Sequence, residues 1–128
     1  MEFLSGTDWE QSRAFTPAIV TSGGRAVYLS GHSTTTDESG VDISYDFDAQ
    51  ARMIFRLLDR TIQRAGGNLS NLVYTTAFIN DPRLGDHLVA IRKEVFPDGK
   101  FPADALITVS SFARPGIVIE IQGIAVVP

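Results

Sequence analysis

Between Phe47 and Ala65 the chain carries one uninterrupted amphipathic stretch, and no other segment limits the possible folds so strongly. Phe47, Ala51, Ile54, Phe55, Leu58, Ile62 and Ala65 recur at the spacing of a single helical face, while Arg52, Arg56, Asp59, Arg60 and Arg64 occupy the other faces. Asp46 is placed to cap this helix and Gly66-Gly67 to stop it. A stripe this broad must be covered, and the β-prone runs on either side of it point to a sheet.

Those runs are 16–21 and 25–31 before the helix, 72–79 after it, and 104–113 and 117–127 near the end. Ser22-Gly23-Gly24 and Arg114-Pro115-Gly116 read as turns of two antiparallel hairpins. Residues 32–45, rich in Ser, Thr, Asp and Gly, read as a loop. Asp81-Pro82 opens a second helix whose face is Leu84, Leu88, Ile91 and Val95, and Pro97-Asp98-Gly99 ends it. The order ββαβαββ predicts an α+β fold: a mixed sheet with both helices on one face. Its other face would carry residues such as Val118, Ile124 and Val126, or their alternates, and a bare apolar face predicts self-association.

Composition narrows the chemistry. At 128 residues the chain is expected to form a single domain over 1–128. Without cysteine it can have no disulfide, thiolate nucleophile or Cys-ligated zinc. A net charge of −4 argues against general affinity for nucleic acid. No run approaches the roughly 20 apolar residues that span a bilayer, and Met1 to Ser5 show no secretory pattern, so a cytoplasmic location is expected.

The two histidines, His32 and His87, lie 55 positions apart and show no metal-ligand spacing, so no metal site is expected. His87 reads as a helix-surface residue, whereas His32 follows Ser30-Gly31 at a strand end, where side chains often face a cleft. No G-x-S-x-G elbow surrounds any serine, and neither Gly-Gly pair fits a phosphate-binding loop. The arginines at 52, 56, 60 and 64 have Asp48 and Asp59 nearby, which favours a partly paired, solvated face. Glu120 interrupts Ile117-Val118-Ile119-Glu120-Ile121, so either that strand face is wet or the carboxylate lies in a pocket. If 114–116 is a hairpin turn, Glu120 faces about Ser111, and Asp104 is on the order of 20 Å away. Only an interface could then bring one subunit's Asp104 to another's Glu120.

Taken in order, these segments resemble the reactive-intermediate deaminase family (Rid, also called YjgF). The resemblance runs from Thr16 to Val127 through Val27-Tyr28-Leu29-Ser30-Gly31, Asp48-Ala49-Gln50-Ala51-Arg52, Ala65-Gly66-Gly67, Thr75-Thr76-Ala77-Phe78-Ile79-Asn80-Asp81, Phe101-Pro102-Ala103 and Ile119-Glu120-Ile121-Gln122-Gly123. It implies a chorismate-mutase-like fold and a homotrimer with ligand clefts between subunits. It also implies cofactor-free hydrolysis of small reactive enamines and imines, and for this chain the expected substrates extend to amide-like metabolites. In the family a glutamate matching Glu120 handles water or protons, and Ser30 and Gly31 match the strand end lining the cleft; Ala105 is expected to join them in binding substrate. The family's carboxylate-binding arginine follows Pro-Ala, where this chain has Asp104, and its common glutamine after Ser-Gly is His32. An anion there would repel a substrate carboxylate, so the expectation is a neutral or cationic substrate, with Glu120, Asp104 and His32 as the catalytic set. Alternatively, Arg13, Arg25 or Arg114 could supply a cation, or the trimer could bind a small ligand without catalysis. Some relatives have been called ribonucleases, a role the acidic charge disfavours.

Overall fold

In the computed structural model, which describes Met1 to Pro128, the helix that anchors the fold runs from Phe47 to Arg64. Asp46 caps it by accepting a hydrogen bond from the Ala49 amide at 3.1 Å. Phe47, Ala51, Ile54, Phe55, Leu58 and Ile62 are all buried in one continuous core. Each of the larger side chains, Phe, Ile and Leu, contributes about 1.5–3 kcal/mol on burial.

In chain order the elements are β1 (Glu2–Phe3), α1 (Asp8–Ser12), β2 (Ile19–Val20), β3 (Arg25–His32), α2 (Phe47–Arg64), β4 (Leu72–Ile79), α3 (Gly85–Val95), β5 (Ala103–Thr108) and β6 (Ile119–Val127). The main sheet has the order β3-β6-β4-β5, with β4 and β5 parallel and β6 antiparallel to both its neighbours. Both long helices pack on one face, so the fold is the expected mixed α+β sheet. No helix is long and apolar enough to cross a membrane.

The strand pairing differs from the expected hairpins at both ends. β2 pairs with β1 in a separate two-stranded ribbon, while β3 pairs with β6 at the far end of the chain. Gly23 and Gly24 do take positive φ, at 72° and 74°, as their turn role requires. Gly24 uses its missing side chain differently from a hairpin glycine: a Cβ there would meet the Val127 carbonyl and the Val126 side chain. The turn therefore delivers β3 to β6. At the other end β4 stands between β5 and β6, so Arg114-Pro115-Gly116 turns within a crossing segment. Buried Gln50 fixes that segment, donating to the Ile43 and Gly116 carbonyls and accepting from the Val118 amide. Placing β4 centrally satisfies its backbone on both sides while Leu72, Ala77 and Ile79 enter the core.

Two smaller differences follow. Asp81-Pro82 begins a 3-10 turn over Pro82–Leu84, and α3 proper starts at Gly85. Val118, expected on the open face, is buried in the core. Ile124 and Val126 do remain on the face away from the helices, half-buried, because each alternates with buried Gly123, Ala125 and Val127. Tyr28, Ile124 and Tyr74 form one row across that face. Tyr28 is 80% exposed, and Tyr74 and Ile107 are also exposed, so the face is largely uncovered in the single chain.

Candidate functional site

The sequence-predicted residues fall on opposite sides of the sheet. On β6, Glu120 alternates with buried Ile119 and Ile121 and therefore points to the open face, where it sits across from Phe78. β3 brings Ser30 and Gly31 to the same end of the sheet. Between Leu29 and His32 it takes three steps against two on β6, from Gly123 to Ile121, so one extra residue bulges there. The bulge presses Gly31 against the Glu120 carboxylate so closely that a Cβ on Gly31 would lie 2.5 Å from Oε2. Glycine is required for that approach. The Glu120 carboxylate is half-buried, and the chain gives it no hydrogen bond or ion pair of its own.

Ala105 also faces the open side, opposite Thr76 in the parallel β4/β5 register. His32 does not join Glu120. Its Nδ1 contacts the Ser30 carbonyl at 2.7 Å and its Nε2 contacts Thr61 Oγ1 of α2 at 2.9 Å, which hold the ring toward the helix layer. Because a carbonyl can only accept, Nδ1 carries a proton in this arrangement. His32 and Thr61 line a cleft of about 370 Å³ together with Ser30, Gly31, Arg60 and Arg64, and Arg60 is itself paired with Glu38. His87, at the helix surface, contacts Asp48 at 2.9 Å.

Asp104 lies opposite Thr75, a buried residue of the core-facing row of β4, so its side chain enters the helix side of the sheet. Thr75 Oγ1 donates to its Oδ1 at 2.6 Å, and Arg92 Nη1 of α3 donates to its Oδ2 at 2.7 Å. The two charged side chains are each only 5% exposed. Arg92 Nη2 donates to the Arg13 carbonyl at 3.2 Å, while its buried Nε has no acceptor. Asp104 is therefore a neutralised anion rather than a free one, and the expected repulsion of a substrate carboxylate does not follow.

Arg92 and Asp104 form part of the wall of a second cavity, of about 320 Å³, whose other walls are Trp9, Arg13, Phe15, Val89 and Leu106. Arg13 and Phe15 reach it from either side of Ala14, a buried residue with φ of 61°. A non-glycine residue in that conformation carries strain of order 1 kcal/mol, which the surrounding packing must offset. Of the arginines considered as alternative cations, only Arg13 reaches this cavity. Arg25 instead donates to the Ala65 and Pro128 carbonyls.

Within one chain Asp104 and Glu120 cannot act together, although the reason differs from the expected hairpin distance. They project from opposite faces, two strand spacings apart, about 10 Å, and are offset by three residues along the strands. No group of three or more His, Asp or Glu side chains converges anywhere in the chain. Sequence reasoning missed Arg92, Thr75 and Trp9. Arg92 did leave a signal, since it follows Leu88 at helical spacing and so places a cation on an otherwise apolar face.

Comparison with known proteins matches residues 9–127 to the family model described as Endoribonuclease L-PSP. Among solved structures, the Rid-family protein YyfB from Yersinia pestis superimposes with a TM-score of 0.83 at 19% identity, covering 98% of this chain and 96% of that one. YyfA from the same organism gives 0.72 at 27% identity, covering 88% and 87%. RidA from an Antarctic Psychrobacter gives 0.65 at 27%, covering 88% of each chain. The chain belongs to the Endoribonuclease L-PSP family, the family of the Rid and YjgF proteins.

Proposed function

We propose that this protein is a cofactor-free hydrolase of small enamines, imines or related C–N compounds, working in a cleft completed by a second copy of the chain. The observation that carries this reading is the unpartnered Glu120 carboxylate held against Gly31. A carboxylate that is half-buried yet free of internal hydrogen bonds is available to a water molecule.

In the proposed reaction an enamine first tautomerises to the imine. Glu120 then takes a proton from water as the oxygen adds to the C=N carbon. The same proton passes to the nitrogen, giving a carbinolamine; Glu120 then moves the hydroxyl proton to that nitrogen as the C–N bond breaks, and the products are a carbonyl compound and ammonia. Every atom is accounted for without redox chemistry.

The second copy is needed because Glu120 stands on the sheet face that the single chain leaves uncovered. Association through the exposed row of Tyr28, Tyr74 and Ile124 would cover the bare face, and a closed ring of three is the arrangement the family resemblance implies. In such a ring the neighbour's open face would close the cleft over Glu120, Ser30 and Gly31.

The test is ammonia release from a panel containing 2-aminoacrylate, other 2-imino acids and neutral enamines. Turnover by wild type, lost in Glu120→Gln with the circular dichroism spectrum unchanged, supports the reading. Failure to turn over any member of the panel overturns it.

A further inference from the structure

We infer that His32 is a positioning residue for Glu120: it ties the β3 bulge to helix α2 through Thr61, and the bulge in turn holds Gly31 against the Glu120 carboxylate. This deepens the reading above and rests on it for the part Glu120 plays in hydrolysis. It replaces the role expected of His32 as a member of the catalytic set.

Both ring nitrogens are committed. Nδ1–H donates to the Ser30 carbonyl at 2.7 Å, and Nε2 lies 2.9 Å from Thr61 Oγ1. Neither is free to take a proton from water beside Glu120, whose side chain leaves the other face of the sheet. The link holds in both proton states of the ring, because Thr61 Oγ1 is also 3.0 Å from the Leu57 carbonyl. With a neutral ring the hydroxyl proton turns to Nε2; with a charged ring Nε2–H donates and the hydroxyl proton turns to Leu57. Arg60 and Arg64 share the cleft with the ring and Glu38 pairs with Arg60, and none of the three hydrogen-bonds to His32.

The tie sits where the strand needs one. The extra residue between Leu29 and His32 interrupts the ladder to β6, so regular pairing does not fix the bulge. His32 follows Gly31 directly, ends β3, and takes up the carbonyl of Ser30 inside the bulge. Its second nitrogen reaches a rigid support. Thr61 stands beside Ile62 and one turn beyond Leu58, both fully buried in the core.

The contact it protects is close. A Cβ on Gly31 would lie 2.5 Å from Glu120 Oε2 and 2.8 Å from its carboxyl carbon, so the Gly31 backbone is itself packed on the carboxylate. Glu120 has no hydrogen bond within the chain to fix it, which leaves this packing as its restraint on the β3 side. A displacement of about 1 Å at a catalytic group costs up to about a hundredfold in rate.

Variants that cut the tie at either end test it. His32→Asn can still meet the Ser30 carbonyl but is too short for Thr61, and Thr61→Val removes only the hydroxyl. Each should keep the wild-type circular dichroism spectrum and lower kcat for ammonia release about tenfold to a hundredfold with KM little changed. The two together should cost no more than either alone, because both cut one link. His32→Gln spans to Thr61 yet cannot shuttle a proton, so it should restore most of the turnover. In Thr61→Val the Gly31 amide and Glu120 carboxyl-carbon resonances should move, although Thr61 is remote from both in sequence. Resonances that stay at their wild-type positions overturn the inference. So do single losses that add in the double variant, or a His32→Gln as impaired as His32→Asn. The resonances decide it even where wild type turns over no substrate, an outcome that removes only the hydrolase reading.

Discussion

Asp104 and Arg92 meet at 2.7 Å with both side chains 95% buried, and this pair replaces the free anion that the sequence alone suggests. Removing either partner leaves an uncompensated buried charge. Arg92→Ala is therefore expected to lower the unfolding free energy by about 3–5 kcal/mol in urea titration. Replacing both residues with leucine should recover most of that loss, because an apolar pair of similar volume needs no desolvation. A double variant as unstable as the single one would show that the pair does more than balance charge.

Gly31→Ala tests the approach of the β3 bulge to Glu120. The obstructing atoms belong to the far end of a flexible side chain, so the protein should fold with a loss of about 1 kcal/mol. The carboxylate must swing away, however, and turnover should fall by tenfold or more, as expected when a catalytic group is displaced by about 1 Å. Retained turnover would remove Glu120 from the mechanism.

Gly123→Ala makes the contrasting prediction. Here an added Cβ would collide with the Tyr74 carbonyl on the neighbouring strand, and backbone cannot step aside. A stability loss of about 1–3 kcal/mol or more is expected from chemical denaturation, larger than for Gly31→Ala.

The ring of copies rests on the uncovered sheet face. Tyr28→Asp places a charge at its most exposed aromatic position without touching the core. Wild type should elute at about three times 13.9 kDa and the variant at the monomer position, with hydrolysis lost in parallel. A wild-type monomer would contradict the shared cleft.

Acid sensitivity has a defined sign. The Arg52 guanidinium, hydrogen-bonded to Glu94, holds that carboxyl below its ordinary range. A lowered folded-state pKa adds stability near neutral pH that disappears as pH falls through the lowered value. The stability difference between wild type and Glu94→Gln should therefore be present at neutral pH and vanish in acid, as measured by thermal melts across pH.

How much of this was legible in the sequence depended on the range of each interaction. Helix α2 was legible because its apolar period is local and long, and Asp46 and Gly66 mark its ends. The partners of β3 and β6 were not, because Gly23-Gly24 and Pro115-Gly116 look the same whether a turn closes a hairpin or directs the chain elsewhere. What decides the outcome is distant: Gly24 against Val127, and Gln50 clamping Gly116 and Val118. Glu120 was recognisable as a carboxylate in an apolar strand. The fate of Asp104 was not, since its neutralising partner lies on a helix with no local spacing relation to it.

The claim that the site is shared between copies is tested most directly by following ammonia release as the protein is diluted. Activity per subunit should fall in step with dissociation of the ring measured in the same samples, because a lone copy leaves Glu120 on an uncovered sheet face. Activity per subunit that stays constant after the ring has dissociated to copies of 13.9 kDa would contradict the shared site.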